Sequence, residues 1–293
     1  MAHLTHGAPG RLLYDGLFTT APATFDCVLS NPPFGGKEGK EAQTHFAFKT
    51  GATQVLFLQH VLDSLSAEGR CGIVVDEGVL FRTNESAFVD TKRKLLEECD
   101  LHCIVSLPGG VFTAAGAGVK TNLLFFNRGK PTEKIWYYDL SDIKVGKKKP
   151  FTIDRFDEFF KLLNKRKDSD RSWTVDFTKR KAIARTEAEP FHREALKKEQ
   201  AANGWKADLK ELKKAKPPKK KAIAEADAKI KELGKEAREL RSKAEAIENA
   251  VFDLKAVNPN TRVEADTRTP AQLIKEIEKY GKEIEKALAR LKS

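Results

Sequence analysis

The chain has 293 residues, of which 40% are hydrophobic and 32% are charged, and its formal net charge is +11. This length suits about two domains, and the longest apolar runs, such as residues 122–126, are far shorter than the roughly 20 residues of a membrane-spanning helix. No basic-then-apolar signal pattern opens the sequence, so we expect a cytoplasmic protein without membrane association.

The cysteines limit the possible disulfides and metal sites, and the net charge bears on the possible partners. Cys27, Cys71, Cys99 and Cys103 are too few for a disulfide scaffold in a chain of this length, and no second pair completes a zinc site with Cys99 and Cys103. We therefore expect four reduced thiols in core positions and no metal. The positive net charge suits a polyanionic partner such as nucleic acid, although many basic proteins have none.

Residues 1–150 alternate strand-like and helical patterns, which is typical of an α/β sheet. In chain order the predicted elements are a buried strand at 25–30, an amphipathic helix at 52–66, a strand at 71–76, a helix at 85–98 and a strand at 101–107. Gly69 is predicted to follow the first helix as its C′ residue. Two further strand-like runs, 121–127 and 134–140, flank a turn at 128–131, which predicts a hairpin at the edge of the sheet.

The remainder divides into a connecting segment and a helical tail. Residues 151–216 are predicted to connect the two parts, with one helix near 154–164. Within 217–293 the apolar residues alternate in steps of three and four up to Leu254, an a/d heptad pattern. Thr269 to Gln272 then spell a capping box with proline at the first helical position. These patterns predict an extended, coiled-coil-like helical hairpin over 217–293.

The tail leaves two questions open. Alanines at its a/d positions permit close packing on other helices, which favours helices of a partner, whereas the alternative is a helix pair folded back on its own domain. The lysine run over 213–221 either tracks phosphates or forms a solvated linker.

The most informative segment follows the first predicted strand, where Asn31, Pro32, Pro33 and Phe34 are consecutive. Two prolines remove two backbone donors and stiffen the chain at the carboxyl edge of a parallel sheet, the usual ligand crevice of open α/β folds. The Asn31 side-chain oxygen and the Pro32 carbonyl are acceptors, and Phe34 is a flat apolar platform. This set suits a planar group that carries an exocyclic amine.

The segment resembles the amine-binding Asn/Asp-Pro-Pro-Tyr/Phe motif of amino-methyltransferases that use S-adenosylmethionine. Together, residues 25–37 (FDCVLSNPPFGGK) and 107–129 (LPGGVFTAAGAGVKTNLLFFNRG) resemble the modification subunit of type I restriction-modification systems, an N6-adenine DNA methyltransferase. The resemblance covers residues 1 to about 180. It implies part of a Rossmann-like methyltransferase sheet over 1–150, S-adenosylmethionine as cofactor, and DNA, a specificity subunit and a restriction subunit as partners.

The resemblance also implies roles for the four motif residues. Asn31 and the Pro32 carbonyl accept hydrogen bonds from the adenine N6 amine, Pro33 stiffens the corner, and Phe34 stacks on a base that has left the duplex. Transfer is then an in-line displacement that depends on positioning and needs neither a metal nor a protein nucleophile. Phe112, in the glycine-flanked loop after the third strand, is either a second wall for the base or a core residue.

Other family positions give weaker candidates. Lys120 and Asn122 are expected to contact the flipped nucleotide or its phosphate. The family holds the methionine part of its cofactor on a glycine-rich loop upstream of this strand, and the chain lacks that loop. Asp15 matches a family position near the cofactor adenine and is the remaining cofactor candidate, with a turn residue as the alternative. We therefore expect this chain to be inactive alone.

The sequence thus predicts the carboxyl-terminal part of a site-specific adenine-N6 DNA methyltransferase subunit. In the family a separate specificity subunit built around long helices selects the DNA site, and the tail is expected to dock on those helices. Two alternatives stay open: a non-catalytic assembly or DNA-binding module, and a methyltransferase fragment that acts on a protein glutamine side chain.

Overall fold

The computed structural model describes residue 17 and residues 25–113, 118–146, 149–215, 219–255, 257–260 and 269–292. The chain divides into two compact units, Met1–Pro259 and Asn260–Ser293. No helix in those ranges is long and apolar enough to cross a membrane. Likewise, the described side chains include no group of three or more His, Cys, Asp or Glu that could hold a metal ion.

The first unit is a mixed α/β structure and the second contains one helix within the described residues. The strands are β1 (Phe25–Ser30), β2 (Leu65–Asp76), β3 (Cys99–Ser106), β4 (Thr121–Arg128), β5 (Lys134–Asp139) and β6 (Ser172–Asp176). The helices are α1 (Lys40–Gln43), α2 (Thr53–Ser64), α3 (Glu77–Phe81), α4 (Ser86–Glu98), α5 (Asp157–Leu163), α6 (Phe177–Lys214), α7 (Lys220–Ala250) and α8 (Pro270–Lys292). A 3-10 turn at Ile153–Phe156 precedes α5.

The six strands form one sheet in the order β1-β2-β4-β3-β5-β6. Strands β1, β2, β3 and β5 run in one direction, whereas β4 and β6 run antiparallel to their neighbours. The carboxyl ends of the four parallel strands therefore meet at one edge of the sheet, together with the start of β4. This is the edge at which open α/β folds bind ligands.

The predicted edge hairpin of residues 121–127 and 134–140 is wrong. Strand β4 pairs with β2 and β3 in the middle of the sheet, and β5 pairs in parallel with β3. The physical reason is the apolar character of both faces of β4: Leu124 and Phe126 are buried in one core cluster, and Leu123 and Phe125 pack against the other. A strand that is apolar on both faces belongs inside a sheet.

Gly69 occupies a different position from the predicted helix end. Strand β2 starts at Leu65 directly after α2, so Gly69 lies inside the strand. A Cβ at this position would lie 2.8 Å from the carbonyl oxygen of Phe25 in β1. Only glycine therefore permits this close approach of the two backbones. The predicted bounds of β1, residues 25–30, are confirmed, but its predicted burial is wrong, because each of its residues is exposed or half-buried.

The two faces of the sheet are covered unequally. Helices α2 and α4 and the residues at the base of α6 and α7 cover the first face, where Leu58, Ile73 and Leu95 are almost fully buried. Trp136, Tyr138 and Phe159 form the centre of a cluster on the second face, above β3 and β5. At the β1 end this second face is open, and Leu29 is 77% exposed.

The open β1 end explains why one of the four cysteines is exposed. Cys71, Cys99 and Cys103 are buried free thiols, and burial raises the pKa of Cys99 and of Cys103 to about 12. Cys27 is exposed, so its predicted core position is wrong. It lies on an edge strand whose outer side has no neighbour among the described strands.

The predicted connecting segment over 151–216 contains β6 and the 38-residue helix α6. Helix α6 runs antiparallel to α7, as the pairs Glu199–Arg241 and His192–Glu248 indicate. Their contact is made by buried alanines: Ala184, Ala188, Ala195 and Ala202 of α6, and Ala226, Ala237 and Ala244 of α7. The alanine face of α7 is thus covered by its own chain, and the prediction of a partner's helices for this face is wrong.

Helix α8 begins as predicted. The Thr269 amide donates to Gln272 Oε1 at 2.7 Å, and the Gln272 amide donates to Thr269 Oγ1 at 3.3 Å. These reciprocal bonds confirm the capping box. Five large apolar side chains of α8 are between 51% and 69% exposed: Ile274, Ile277, Tyr280, Ile284 and Leu288.

Candidate active site

The Asn-Pro-Pro-Phe segment leaves β1 at the carboxyl edge of the sheet. Asn31 and Pro33 are exposed, Pro32 is buried and Phe34 is half-buried. The side-chain amide of Asn31 makes no hydrogen bond within the described part of the chain. A buried proline thus anchors the corner, while the side-chain amide of Asn31 is exposed and unpaired among the described residues.

The rings of Phe34 and Phe112 are in contact across this edge. Their centroids are 4.9 Å apart and their planes are inclined by 58°. Phe34 follows β1 and Phe112 follows β3, and β2 and β4 lie between these strands. The contact therefore bridges the ends of two strands and forms an aromatic surface beside Asn31. The sequence left Phe112 open between a second wall for the base and a core residue. The structure places its ring against Phe34, and the same half-buried residue packs against the core cluster on the second face.

Glycines turn the chain back towards α2 after Phe34. Gly35 and Gly36 have φ values of 75° and 98°, a left-handed conformation that favours glycine. A Cβ at Gly36 would lie 2.9 Å from Thr53 Oγ1. That hydroxyl donates in turn to Glu38 Oε1 at 2.9 Å. The loop after the motif is thereby fixed to the first turn of α2.

A cavity of about 490 Å³ lies between this loop, α2 and α3. The Gln54 side-chain oxygen accepts a hydrogen bond from the Asp76 amide at 2.8 Å, and Asp76 Oδ1 accepts one from the Val79 amide at 2.9 Å. Lys37 and Arg82 add positive charge to its wall. Sequence reasoning missed this cavity, although Asp76 ends a predicted strand at the same edge as Asn31.

The candidates on β4 differ in accessibility. Lys120 is exposed and its carbonyl accepts a hydrogen bond from the Glu77 amide at 2.9 Å. Asn122 is only 3% exposed, and Ser106 Oγ donates to its side-chain oxygen at 2.9 Å. A nucleotide therefore cannot touch Asn122 in this arrangement. Its Nδ2 and the neighbouring Thr121 hydroxyl are buried and have no hydrogen-bond partner among the described residues.

The described residues do not form a complete site for S-adenosylmethionine. Asp15, the predicted cofactor residue, lies outside them. The groove beside the motif, of about 340 Å³, is lined mainly by apolar residues such as Leu29, Val74 and Phe125, together with Ser30 and Asn31, and no charged side chain of the described residues lines it. A ligand with an amino group, a carboxylate and a sulfonium centre requires charged partners, and the described residues of this groove supply none.

Comparisons with known proteins agree with the geometry. The N-6 DNA Methylase family model matches residues 11–229. The chain is 38% identical over 144 residues to the type I restriction enzyme EcoEI methylase subunit of Escherichia coli, and the match covers 46% of this chain and 29% of that protein. It is 37% identical over 143 residues to the EcoKI methylase subunit of Escherichia coli K12, which covers 45% and 26%.

A solved structure extends the likeness to the helical part. This structure comes from work on complex assembly and conformational transition of the type I R-M system. It aligns with 92% of this chain and 45% of its own, with 30% identity and a TM-score of 0.53. The chain spans less than a third of the length of the two curated relatives, whose covered shares are 29% and 26%.

Proposed function

Because the chain belongs to the N-6 DNA methylase family, we propose that it is the carboxyl-terminal part of the modification subunit of a type I restriction-modification system. The activity is site-specific methylation of adenine N6 in DNA, with S-adenosylmethionine as the methyl donor. The observation that carries the proposal is the exposed Asn31 side-chain amide, which follows the same strand as Phe34, with the Phe34–Phe112 ring pair at the carboxyl edge of the sheet.

The motif residues hold the amine to be methylated. Asn31 Oδ1 and the Pro32 carbonyl oxygen accept one hydrogen bond each from the N6 amine. Each acceptor binds one N–H hydrogen of the amine. The lone pair of the amine nitrogen therefore points away from both acceptors. The buried Pro32 fixes the position of its own carbonyl, and this positioning is the contribution of the loop to the rate.

The ring pair binds the face of the extruded base. Two rings that enclose a flat base need roughly 7 Å between them, twice a carbon contact distance, whereas the centroids of Phe34 and Phe112 are 4.9 Å apart. One ring therefore moves when the base binds. Phe34 is half-buried at a loop position and belongs to no core cluster, whereas Phe112 packs against the cluster on the second face, so Phe34 is the ring that moves.

The open end of the sheet is the docking surface for the rest of the subunit. Parallel sheets are covered on both faces, yet Leu29 is 77% exposed and Cys27 is exposed on edge strand β1. A further strand and helix from the amino-terminal part of the subunit would cover both. That part also supplies the polar groups for the methyl donor, so this chain is inactive alone.

Helix α8 docks on the specificity subunit. Its exposed apolar side chains follow helical spacing, as expected for a helix that packs on other helices. The restriction subunit and DNA complete the assembly, which acts in the cytoplasm. Deletion of residues 269–293 is expected to abolish co-purification with the specificity subunit, and undiminished co-purification would contradict this docking.

The catalytic proposal is tested by complementation. The chain is combined with the amino-terminal part of the EcoEI methylase subunit and the specificity subunit, and methyl transfer to adenine in duplex DNA is measured. Asn31→Ala is expected to lower the rate by about a hundredfold, the effect of losing a strong hydrogen bond in the transition state. Asn127→Ala, an exposed asparagine near the opposite end of β4, is the matched control. Equal rates for the parent and Asn31→Ala would contradict the proposal.

A further inference from the structure

The end of the α6–α7 pair farthest from the sheet carries a concentration of positive charge. We define the lysine tip as residues 205–215 and 219–224, the end of α6 and the start of α7. It contains seven exposed lysines and two acidic residues, Asp208 and Glu211. The lysines are Lys206, Lys210, Lys213, Lys214, Lys219, Lys220 and Lys221.

The rest of the helix pair is balanced in charge. Residues 177–204 and 225–250 contain thirteen Lys and Arg and eleven Asp and Glu. Ion pairs join the two helices there, with Lys198 Nζ 2.8 Å from Glu236 and Arg241 Nε 2.6 Å from Glu199. In the described part of the tip, Lys214–Glu211 is the one ion pair. The excess charge is thus local to the tip.

The lysines at the start of α7 do not stabilise their helix. Lys219 is the N-cap and makes no side-chain cap bond, and the first turn contains no acidic residue. Lys220 and Lys221 lie in that first turn, where cations oppose the helix dipole. Lys206 and Lys210 are also like charges at i,i+4 in α6, which is unfavourable. Lys213 and Lys214 lie in the last turn of α6, where cations favour the helix dipole. Local helix stability therefore explains those two lysines but not the three at the start of α7.

The helix pair holds the tip rigidly and far from the sheet. Ala184 of α6 is still part of the core of the sheet domain. The 30 residues from there to Lys214 extend about 45 Å at 1.5 Å per residue. Along this length the buried Ala188, Ala195 and Ala202 pack against α7. Since the screening length is about 10 Å at moderate salt, the field of the tip acts independently of the candidate active site.

We propose that the lysine tip binds the phosphate backbone of duplex DNA outside the base pairs held at the candidate active site. A duplex presents one negative charge per about 1.7 Å, so several lysines of the tip contact phosphates at once. Such contacts are independent of sequence and fix the position of the protein on the duplex. The inference rests on the proposed function only in that duplex DNA is the substrate.

The test compares two variants with the same change in net charge. The tip variant replaces Lys210, Lys213, Lys220 and Lys221 by Gln. The control variant replaces Lys179, Lys243, Lys275 and Lys279 by Gln; these four exposed lysines lie outside the tip. The full chain is titrated against a fluorescent duplex of about 30 base pairs between about 50 and 200 mM salt, the range in which phosphate contacts dominate.

We expect the tip variant to bind at least about tenfold more weakly, and the slope of log K against log salt to fall by about 0.9 for each phosphate that the variant no longer neutralises. The control variant should stay within about threefold of the parent under the same electrostatic rule. Equal weakening in both variants, or unchanged binding by the tip variant, would overturn the inference. Circular dichroism verifies that the helices persist, and a variant with Arg at the same four positions should restore binding.

Failure of this inference is distinguishable from failure of the proposed function. Methyl transfer by the assembled enzyme depends on Asn31, whereas binding of the duplex to the tip does not. Unchanged duplex binding by the tip variant, together with a reduced rate in Asn31→Ala, removes only the role of the tip.

Discussion

The Lys92 ammonium donates a 2.7 Å hydrogen bond to the carbonyl oxygen of Leu80, in the last turn of α3. The same ammonium donates to the Arg82 carbonyl at 2.8 Å, and the Leu254 amide donates to the Leu80 carbonyl at 3.1 Å. A buried lysine on α4 thus binds the end of α3, which borders the candidate site, and the same Leu80 carbonyl joins α3 to the segment after α7.

Burial of this ammonium makes stability depend on pH. Desolvation lowers the pKa of Lys92 from 10.5 to about 8, against an opposing contribution from Asp253. Between these two values the unfolded chain binds a proton that the folded chain does not. The free energy of unfolding therefore rises with pH in this window, by about 1.4 kcal/mol per unit.

Urea denaturation of the parent and Lys92→Met at pH 8 and pH 9 measures this effect. The difference between the two proteins is expected to widen by about 1 kcal/mol over that unit. The subtraction is needed because burial raises the pKa of Cys99 and Cys103 to about 12, so that both proteins lose stability as the pH rises through the ordinary thiol pKa of about 8.5. A difference that stays constant with pH would contradict the prediction.

The aromatic surface beside Asn31 predicts a ring requirement at Phe34. In the enzyme assembled with its amino-terminal part, Phe34→Ala should lower kcat/KM for methyl transfer by about tenfold to a hundredfold, since stacking on a base is worth about 1–3 kcal/mol. Phe34→Tyr keeps the ring and should retain most of the activity. Phe160→Ala, which removes an exposed ring on α5, is the control. Similar decreases for Phe34→Ala and Phe160→Ala would argue against stacking.

The cysteines should fall into two classes of reactivity. Cys27 is exposed, whereas Cys71, Cys99 and Cys103 are buried, and burial raises the pKa of each of these three thiols. Thiolates are the reactive species, so we expect dithiobis(nitrobenzoate) to titrate one thiol rapidly in the native chain and four after unfolding. Cys27→Ser should remove the rapid phase. Rapid reaction of a second thiol would contradict this and would show that β2 or β3 opens readily.

Features with local determinants could be predicted from the sequence. The capping box of α8 needs only Thr269 and Gln272, and its bonds are formed. Strand β1 and the loop after it are encoded by one apolar run and two prolines. The Phe34–Phe112 contact could not be predicted from local sequence alone, because it depends on the sheet order that brings the ends of β1 and β3 to the same edge.

Features with distant determinants could not be predicted. The position of β4 depends on competition among strands for partners, and a hairpin with β5 is the simplest local solution. Helix α6 was missed because its buried positions are alanines and Pro190 interrupts the pattern. Gln54 could not be predicted as a site residue, because its role depends on the orientation of α2, which lets its side-chain oxygen accept a hydrogen bond from the Asp76 amide.

The alanine contact between α6 and α7 predicts a steric limit on side-chain size. Ala195 is fully buried between the helices, so Ala195→Leu introduces three heavy atoms where there is no space. Overpacking of this kind costs about 1–3 kcal/mol. We expect a lower melting temperature of the helical signal in circular dichroism. Ala201→Leu is the matched control, because Ala201 is exposed on the same helix and leucine has nearly the helix propensity of alanine. Equal melting temperatures for the two variants would mean that the helices separate easily, and the rigid placement of the lysine tip would then lose its basis.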